Sequence, residues 1–131
     1  MRFRKAARRV SQIYDRFLEP HGLTITQFGL LAHVRRLDGI SIGALAAELV
    51  MDPTTLTRNL RPLEQRGLVA SKPCKQDRRT RSLHLTKDGT EALRAARPGW
   101  EKAQHHMAQV LGADHAPLSL AIDAMLERLA E

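Results

Sequence analysis

The stretch that decides the fold is "MDPTTLTRNLRPLEQRGLV", residues 51–69. Asp52 followed by Pro53 is typical of a helix start, because aspartate caps free amides and proline has no amide hydrogen to leave unpaired there. Gly67 fits a glycine C-cap. One side of the predicted helix is apolar, through Leu56, Leu60 and Leu63. We therefore expect a helix from Pro53 to Gly67, bent or loosened at Pro62, where an interior proline removes a backbone hydrogen bond.

The other side of this helix is polar. It consists of four residues at spacings of four, three and four, which we call the outward stripe: Thr54, Arg58, Arg61 and Gln65. Short hydroxyls near the helix start and longer hydrogen-bonding chains behind them suit the major groove of DNA, where arginine pairs with guanine. The alternative is an ordinary solvated helix face, since many surface helices carry arginine and glutamine.

Three more helices are predicted before this one. Apolar residues recur every three or four positions in the first helix, which stops before Pro20. Thr24 and Gln27 have capping-box spacing at the start of the second, and Ser41 can cap a short third helix. The expected ranges are Phe3–Leu18, Thr24–Gly39 and Ser41–Val50.

A basic hairpin is predicted after the fourth helix. Leu83 and Leu85 alternate with polar residues, which is the period of a half-buried strand. Five of the ten residues from 72 to 81 are basic. Two short helices joined by a turn and followed by such a hairpin form a winged helix-turn-helix. We expect its tip to carry three arginines towards the DNA backbone or the minor groove, unless it is only a solvated charged loop: Arg78, Arg79 and Arg81.

The C-terminal part of the chain is predicted to be helical. Thr86 can cap a long helix, kinked at Pro98 and Gly99, and residues 112–117, "GADHAP", are predicted to be a loop. A last amphipathic helix follows, from Leu118 to Leu129. The apolar stripes of the first, long and last helices exceed what a small winged unit needs for its own core. This excess favours a homodimer reading two half-sites about 34 Å apart; packing of these helices within one chain is the alternative.

Composition limits the function classes. The 131 residues fit one domain, and the net charge of +7 favours a polyanionic partner, although a solubility charge would look the same. Only one cysteine is present, Cys74, so no intramolecular disulfide can form and a cytoplasmic location is expected. No run of 18 apolar residues indicates a membrane span, and the basic N-terminus lacks the apolar run of a signal peptide.

Other chemistry has little support in the sequence. A glycine-rich phosphate loop, an HExxH motif and a nucleophile elbow are all missing, so we expect neither an enzyme nor a cofactor. His105 and His106 are adjacent and point to different sides of a helix, which argues against a metal site. Lys72 and Lys75 would favour a thiolate at Cys74, but a passive thiol is the preferred interpretation.

Three segments together resemble the MarR family of winged-helix transcriptional regulators. They are "GLTITQFGLL", "LAAELVMDPTTLTRNLRPLEQRGLV" and "DRRTRSLHLTKDG", and the likeness extends from about Arg8 to Trp100. It implies a mainly α fold with a small β-hairpin wing, in one domain of residues 1–131. Residues 24–88 would form the winged helix-turn-helix, and residues 1–20 and 90–131 the dimerisation helices.

The resemblance also implies roles for particular residues. Thr54, Thr55, Thr57 and Arg58 match the recognition-helix positions that meet DNA. Asp77 and Arg79 match an Asp-x-Arg wing motif, in which the arginine enters the minor groove and the acid holds the wing. The full set of predicted DNA-binding residues is Thr54, Thr55, Thr57, Arg58, Arg61, Gln65, Asp77, Arg78, Arg79 and Arg81.

The family resemblance further implies a homodimer that usually represses transcription and often responds to small aromatic or anionic compounds. We therefore expect a regulator that binds a pseudo-palindromic duplex and is released by an effector. The alternative function is a basic winged-helix module that binds RNA or a protein without regulating a promoter. No ligand site is assigned, because the aromatic candidates fit a core equally well: Tyr14, Phe17, Phe28 and Trp100.

Overall fold

The structure is a computed structural model that describes residues 1–130. It is mainly helical with one two-stranded antiparallel hairpin, as predicted. The elements are α1 (Arg2–Leu18), α2 (Ile25–Arg36), α3 (Ile42–Glu48), α4 (Pro53–Gln65), β1 (Val69–Pro73), β2 (Arg81–Leu85), α5 (Lys87–Leu111) and α6 (His115–Leu129). Short 3₁₀ turns at Glu19–His21 and Gly112–Asp114 connect α1 to α2 and α5 to α6.

Side-chain caps begin four of the helices, each at the predicted residue. At α2, the hydroxyl of Thr24 accepts from the Gln27 amide at 3.2 Å, and the Gln27 side chain accepts from the Thr24 amide at 3.0 Å. These two bonds form a capping box. The remaining three helices are α3, α4 and α5, whose caps are Ser41, Asp52 and Thr86.

Two predicted boundaries are wrong. Helix α2 ends at Arg36 instead of continuing to Gly39, because the backbone of Gly39 turns to φ +85° and bonds to the wing. Helix α6 begins at His115, inside the segment predicted to be a loop. Pro117 lies in the first turn of α6, where a helix makes no use of an amide hydrogen, so proline does not prevent the helix from forming.

The wing is attached to the rest of the winged unit by backbone hydrogen bonds. Strands β1 and β2 pair in register from Val69 opposite Leu85 to Pro73 opposite Arg81. The Gly39 amide donates to the Leu83 carbonyl at 2.9 Å, and the Leu83 amide donates to the Ile40 carbonyl at 2.8 Å. The connection between α2 and α3 therefore meets β2 in an isolated antiparallel bridge, Ser41 opposite Ser82, which no sequence pattern indicates.

The hydrophobic core lies mainly within the winged unit. It joins α2, α3, α4 and both strands to the end of α1 and the first half of α5. The three predicted leucines of α4 are each 0% exposed: Leu56, Leu60 and Leu63. By contrast, α6 contributes no buried residue. Among residues 1–130, no helix combines the length and apolar character needed to cross a membrane.

Candidate nucleic-acid interface

The outward stripe faces away from the core. All four of its residues are exposed, while the leucines on the opposite side of α4 are buried, so the predicted orientation is confirmed. In the described part of the chain, neither Arg58 nor Arg61 forms a salt bridge, so both guanidinium groups keep their donors for another molecule. A rigid helix with a packed back thus presents two arginines in sequence along one exposed face.

The first turn of α4 is already satisfied by its own cap. One Asp52 carboxylate oxygen accepts from the amides of Thr54 and Thr55, at 3.0 and 3.2 Å. Because these amides already donate to Asp52, the start of α4 presents its side chains, and not these amides, to a partner. The Thr57 hydroxyl donates to the Pro53 carbonyl at 2.9 Å, which leaves its oxygen lone pairs as acceptors for an amino group. Thr55 is half-buried, whereas Thr54 and Thr57 are exposed.

The turn of the wing is organised by Asp77. Its carboxylate accepts from the Arg79 amide at 3.0 Å and from Arg79 Nε at 3.3 Å. Its carbonyl accepts from the Thr80 amide at 3.0 Å, and the Thr80 carbonyl accepts from the Cys74 amide at 2.8 Å. The Arg79 side chain is nevertheless 93% exposed. Asp77 therefore holds the backbone amide and Nε of Arg79, while the rest of the guanidinium projects outward. The half-buried Cys74 follows β1 at the base of this turn.

Arg81 differs from the other two arginines predicted for the wing tip. It begins β2 and its guanidinium lies against β1, where Nε donates to Ser71 Oγ at 3.0 Å and Nη2 donates to the Ser71 carbonyl at 2.8 Å. The prediction that Arg81 stands at the tip is therefore wrong. Arg78 lies in the exposed turn beside Arg79. Ser71 was not predicted as part of the site, because nothing in a strand pattern identifies the cross-strand partner of an arginine.

The aromatic residues belong mostly to packing between helices. Phe28 is buried and its ring stacks on Trp100, with centroids 5.9 Å apart. Phe17 contacts the ring of His106. Tyr14 is buried between α1 and α5, its hydroxyl donates to Gln104, and burial raises the pKa of the phenol.

Histidine and acidic side chains do not gather into a metal site in the region that the structure covers. Within residues 1–130 there is no group of three or more histidine, cysteine, aspartate or glutamate side chains placed to hold an ion.

Comparison with known proteins decides the family. The MarR family model matches residues 23–80, the segment that contains α2, α3, α4 and most of the wing. The chain belongs to the MarR family.

Individual relatives support this assignment. The chain is 34% identical over 101 residues to the transcriptional activatory protein BadR of Rhodopseudomonas palustris, covering 74% of this chain and 56% of BadR. It is 38% identical to the M. tuberculosis transcriptional regulator MosR, solved with DNA, over 94% of both chains with a TM-score of 0.76. The repressor CouR, bound to a 23-mer duplex, is 25% identical over 95% of this chain and 89% of CouR, with a TM-score of 0.84.

The matched region is shorter than the curated relatives. The chain spans about half the length of those that it matches, from 43% to 58%. Membership of a family of transcriptional regulators also supports the prediction that the chain is not an enzyme.

Proposed function

We propose that this protein regulates transcription by binding a specific duplex DNA sequence as a homodimer. In each protomer α4 enters a major groove and the wing enters the neighbouring minor groove. The observation that carries the proposal is the outward stripe, an exposed hydroxyl and guanidinium face on a helix whose opposite side is fully packed. The solved structures of MosR and CouR with DNA support it, since both share the fold over nearly the whole chain.

Each predicted contact then has a distinct task. Arg58 and Arg61 present donors that can pair with guanine in the major groove, and Arg79 brings a positive charge to the narrower minor groove. Arg81 braces the two strands and can reach phosphate only through the nitrogens that Ser71 leaves free. Together these groups would read bases with α4 and groove shape with the wing.

The homodimer is proposed from the terminal helices. α6 buries no residue within the chain and exposes large apolar side chains, while α1 and α5 add others. The exposed set is Met1, Phe3, Val10, Val110, Leu118, Leu120, Ile122, Leu126 and Leu129. A second copy related by a twofold axis would cover these faces and place two α4 helices on one side of the duplex. Residues 1–20 and 90–131 would thus serve dimerisation, and residues 24–88 DNA binding.

The binding test begins with selection of bound sequences from a random DNA pool. We expect a pseudo-palindrome whose half-sites lie about one helical turn apart, and affinity that falls steeply as salt rises. The selected duplex is then compared with a scrambled duplex of equal length at one salt concentration. Equal affinity for the two duplexes would sink the proposal, and equally tight binding to unrelated RNAs would favour the RNA-binding alternative.

Arg58 gives the sharpest single-residue test. Arg58→Ala is expected to cost about 1–3 kcal/mol in binding to the selected duplex and to relax base preference at one position per half-site. Its matched control is Arg94→Ala, which removes the same charge from α5, where Arg94 pairs with Glu91. Titration of both variants with selected and scrambled duplexes separates base reading from general attraction. Loss of affinity without loss of preference would assign Arg58 to the phosphate backbone.

We propose repression as the regulatory outcome, released by a small anion. CouR is a repressor, whereas BadR is an activatory protein, so a promoter fusion containing the selected duplex must decide the direction. Reporter output that rises on deletion of this protein supports repression; output that falls means activation.

The anion is proposed from a cavity of about 460 Å³ between α2 and α5. It is lined by Ala32, His33, Arg35, Arg36, Leu93 and Arg97. Arginine-rich walls beside an apolar side chain suit a carboxylate on a small hydrophobic body. A panel of aromatic carboxylates should include one that dissociates the wild-type complex with DNA, but not the complex of Arg97→Ala. Release of both complexes at equal concentration would place the anion elsewhere.

A further inference from the structure

A chain of side-chain hydrogen bonds joins the wing to the connection between α2 and α3. His84 Nδ1 lies 3.0 Å from Asp38 Oδ1, and His84 Nε2 lies 3.0 Å from Ser82 Oγ. Ser82 Oγ lies in turn 3.3 Å from the carbonyl of Lys72 on β1. Ser82 and His84 are two residues apart on β2, so their side chains lie on the same face of the hairpin. We call Asp38, His84 and Ser82 the wing clasp.

The wing clasp sits where the wing meets the rest of the winged unit. The same connection makes the two backbone bonds between Gly39, Ile40 and Leu83 described above. The imidazole lies close to Gly39, since a Cβ at that position would be 3.7 Å from His84 Cε1, an ordinary van der Waals contact. Glycine is favoured there by its φ of +85°. The clasp therefore adds polar side-chain bonds to the isolated bridge through which the α2–α3 connection bonds to the hairpin.

The direction of these bonds depends on the charge of the imidazole. A carboxylate only accepts, so neutral His84 carries its proton on Nδ1 and accepts from the Ser82 hydroxyl through Nε2. That hydroxyl then has no hydrogen left for the Lys72 carbonyl. In the protonated ring both nitrogens donate, so Ser82 accepts from Nε2 and turns its own hydrogen to Lys72. Protonation thus converts the contact with Asp38 into an ion pair and extends the chain to β1.

We propose that the wing clasp is a proton-dependent positioning device, which holds the wing more firmly, and strengthens duplex binding, when His84 is charged. The proposal rests on the proposed DNA-binding function. Only Asp38 brings a carboxylate oxygen within 4.0 Å of a His84 ring nitrogen among residues 1–130. Helices α2, α3 and α5 and strand β1 pack against β2. Charged residues on these elements include Arg36 on α2, Glu48 on α3, Lys72 on β1, and Lys87 and Asp88 on α5.

The sequence provides its own reporter for wing motion. Cys74 is the only cysteine in the chain and lies at the wing end of β1, so a nitroxide attached there reports the mobility of the hairpin. Histidine changes its charge between about pH 5 and pH 8. From about pH 8 to pH 6 we expect the ratio of ordered to mobile label to rise about two- to fivefold, the range for an ion pair between partly exposed side chains.

Substitutions distinguish a pH response caused by the wing clasp from one caused by other charges in the protein. Asp38→Asn keeps the imidazole but removes its anionic partner, and His84→Gln removes the imidazole; both are expected to abolish the response of the label. Asp38→Glu is expected to restore it, and His105→Gln, a change of another histidine on α5, is expected to leave it intact. A response that survives in His84→Gln or in Asp38→Asn would overturn the proposal.

Duplex binding completes the test. Wild-type affinity for the selected duplex is expected to rise about two- to fivefold over the same pH range, beyond any rise that Asp38→Asn retains. A response of the label without this difference in affinity would overturn the claim that the clasp strengthens binding. Absence of duplex binding at any pH would instead contradict the proposed function, while the label alone still decides whether the clasp exists.

Discussion

Helices α4 and α6 have similar lengths but opposite relationships to the core. α4 buries three leucines completely, whereas α6 buries nothing although it carries at least five large exposed apolar residues. Amphipathic periodicity is present in both sequences, so periodicity alone does not distinguish a face covered by the same chain from one awaiting a second molecule. The winged unit buries its apolar side chains within one copy of the chain, whereas α6 leaves its apolar side chains exposed.

The largest expected effect tests the completeness of the winged unit. Leu60→Ala removes a fully buried side chain and should lower the free energy of unfolding by about 3–5 kcal/mol. Its control is Leu120→Ala, because Leu120 is 71% exposed in the single chain. Denaturant unfolding at several protein concentrations measures both. We expect Leu120→Ala to lower the free energy of unfolding by less, and by an amount that depends on protein concentration, as for a residue in an interface between two chains. Equal losses of stability in the two variants would contradict the difference between α4 and α6.

The next effect lies at the joint between the two regions. Gly89 is buried in the first turn of α5, and a Cβ there would meet the Leu68 carbonyl oxygen at 2.0 Å and Leu85 Cδ1 at 2.8 Å. Gly89→Ala should therefore lower stability by about 2–3 kcal/mol, because the wing base must move away from α5. Gly29→Ala in α2 is the control, since nothing lies within 4 Å of its added Cβ. Thermal melting should give a lower melting temperature for Gly89→Ala than for Gly29→Ala. Similar melting temperatures would mean that α5 is not tightly packed against the base of the wing.

A third prediction concerns the uncovered face. Leu126→Asp places a charge in the apolar surface of α6, which is exposed in one chain and buried in the proposed dimer. We expect at least about tenfold weaker self-association, or about 1.4 kcal/mol, with unchanged helix content. Sedimentation equilibrium measures the association, and Glu127→Asp is a control on the neighbouring position. A wild-type chain that is monomeric at all concentrations would contradict the dimer and leave the apolar face unexplained.

The smallest effect is a gain in stability. Val50, between α3 and α4, has φ +51°, a conformation that is strained for a β-branched residue, and its side chain is 89% exposed. Val50→Gly should relieve this strain while the unfolded chain gains entropy, for a net gain of about 0.5–1 kcal/mol. Chemical denaturation checks the sign. A loss of stability would show that the valine makes contacts outside the single chain.

The sequence was sufficient for the parts of the molecule that depend on local chemistry. Caps at Thr24, Ser41, Asp52 and Thr86 were all identified, because each depends on residues within one helical turn. Gly67 also takes the expected left-handed conformation, with the Leu68 amide donating to the Leu63 carbonyl at 2.9 Å. The exposed side of α4 followed from the same local periodicity.

Contacts between distant residues were not predictable in this way. Asp38 and His84 are 46 positions apart, and neither lies in a motif that indicates the other. The position of Arg81 against Ser71 depends on the exact strand register, which alternation leaves open by two residues at a time. The early end of α2 has the same origin, since its cause is a bond from Gly39 to a strand far along the chain.

The bridge between the α2–α3 connection and β2 has a mechanical consequence. Because the Leu83 amide donates to the Ile40 carbonyl one residue before the Ser41 cap of α3, the base of the hairpin and the helix-turn-helix share a single frame. When that frame rotates, α4 and the arginines of the wing turn rotate together with it. In the proposed dimer, the offset between the two grooves that one protomer would contact is therefore built into the frame, and adjustment to a different DNA sequence would depend on the angle between two such frames.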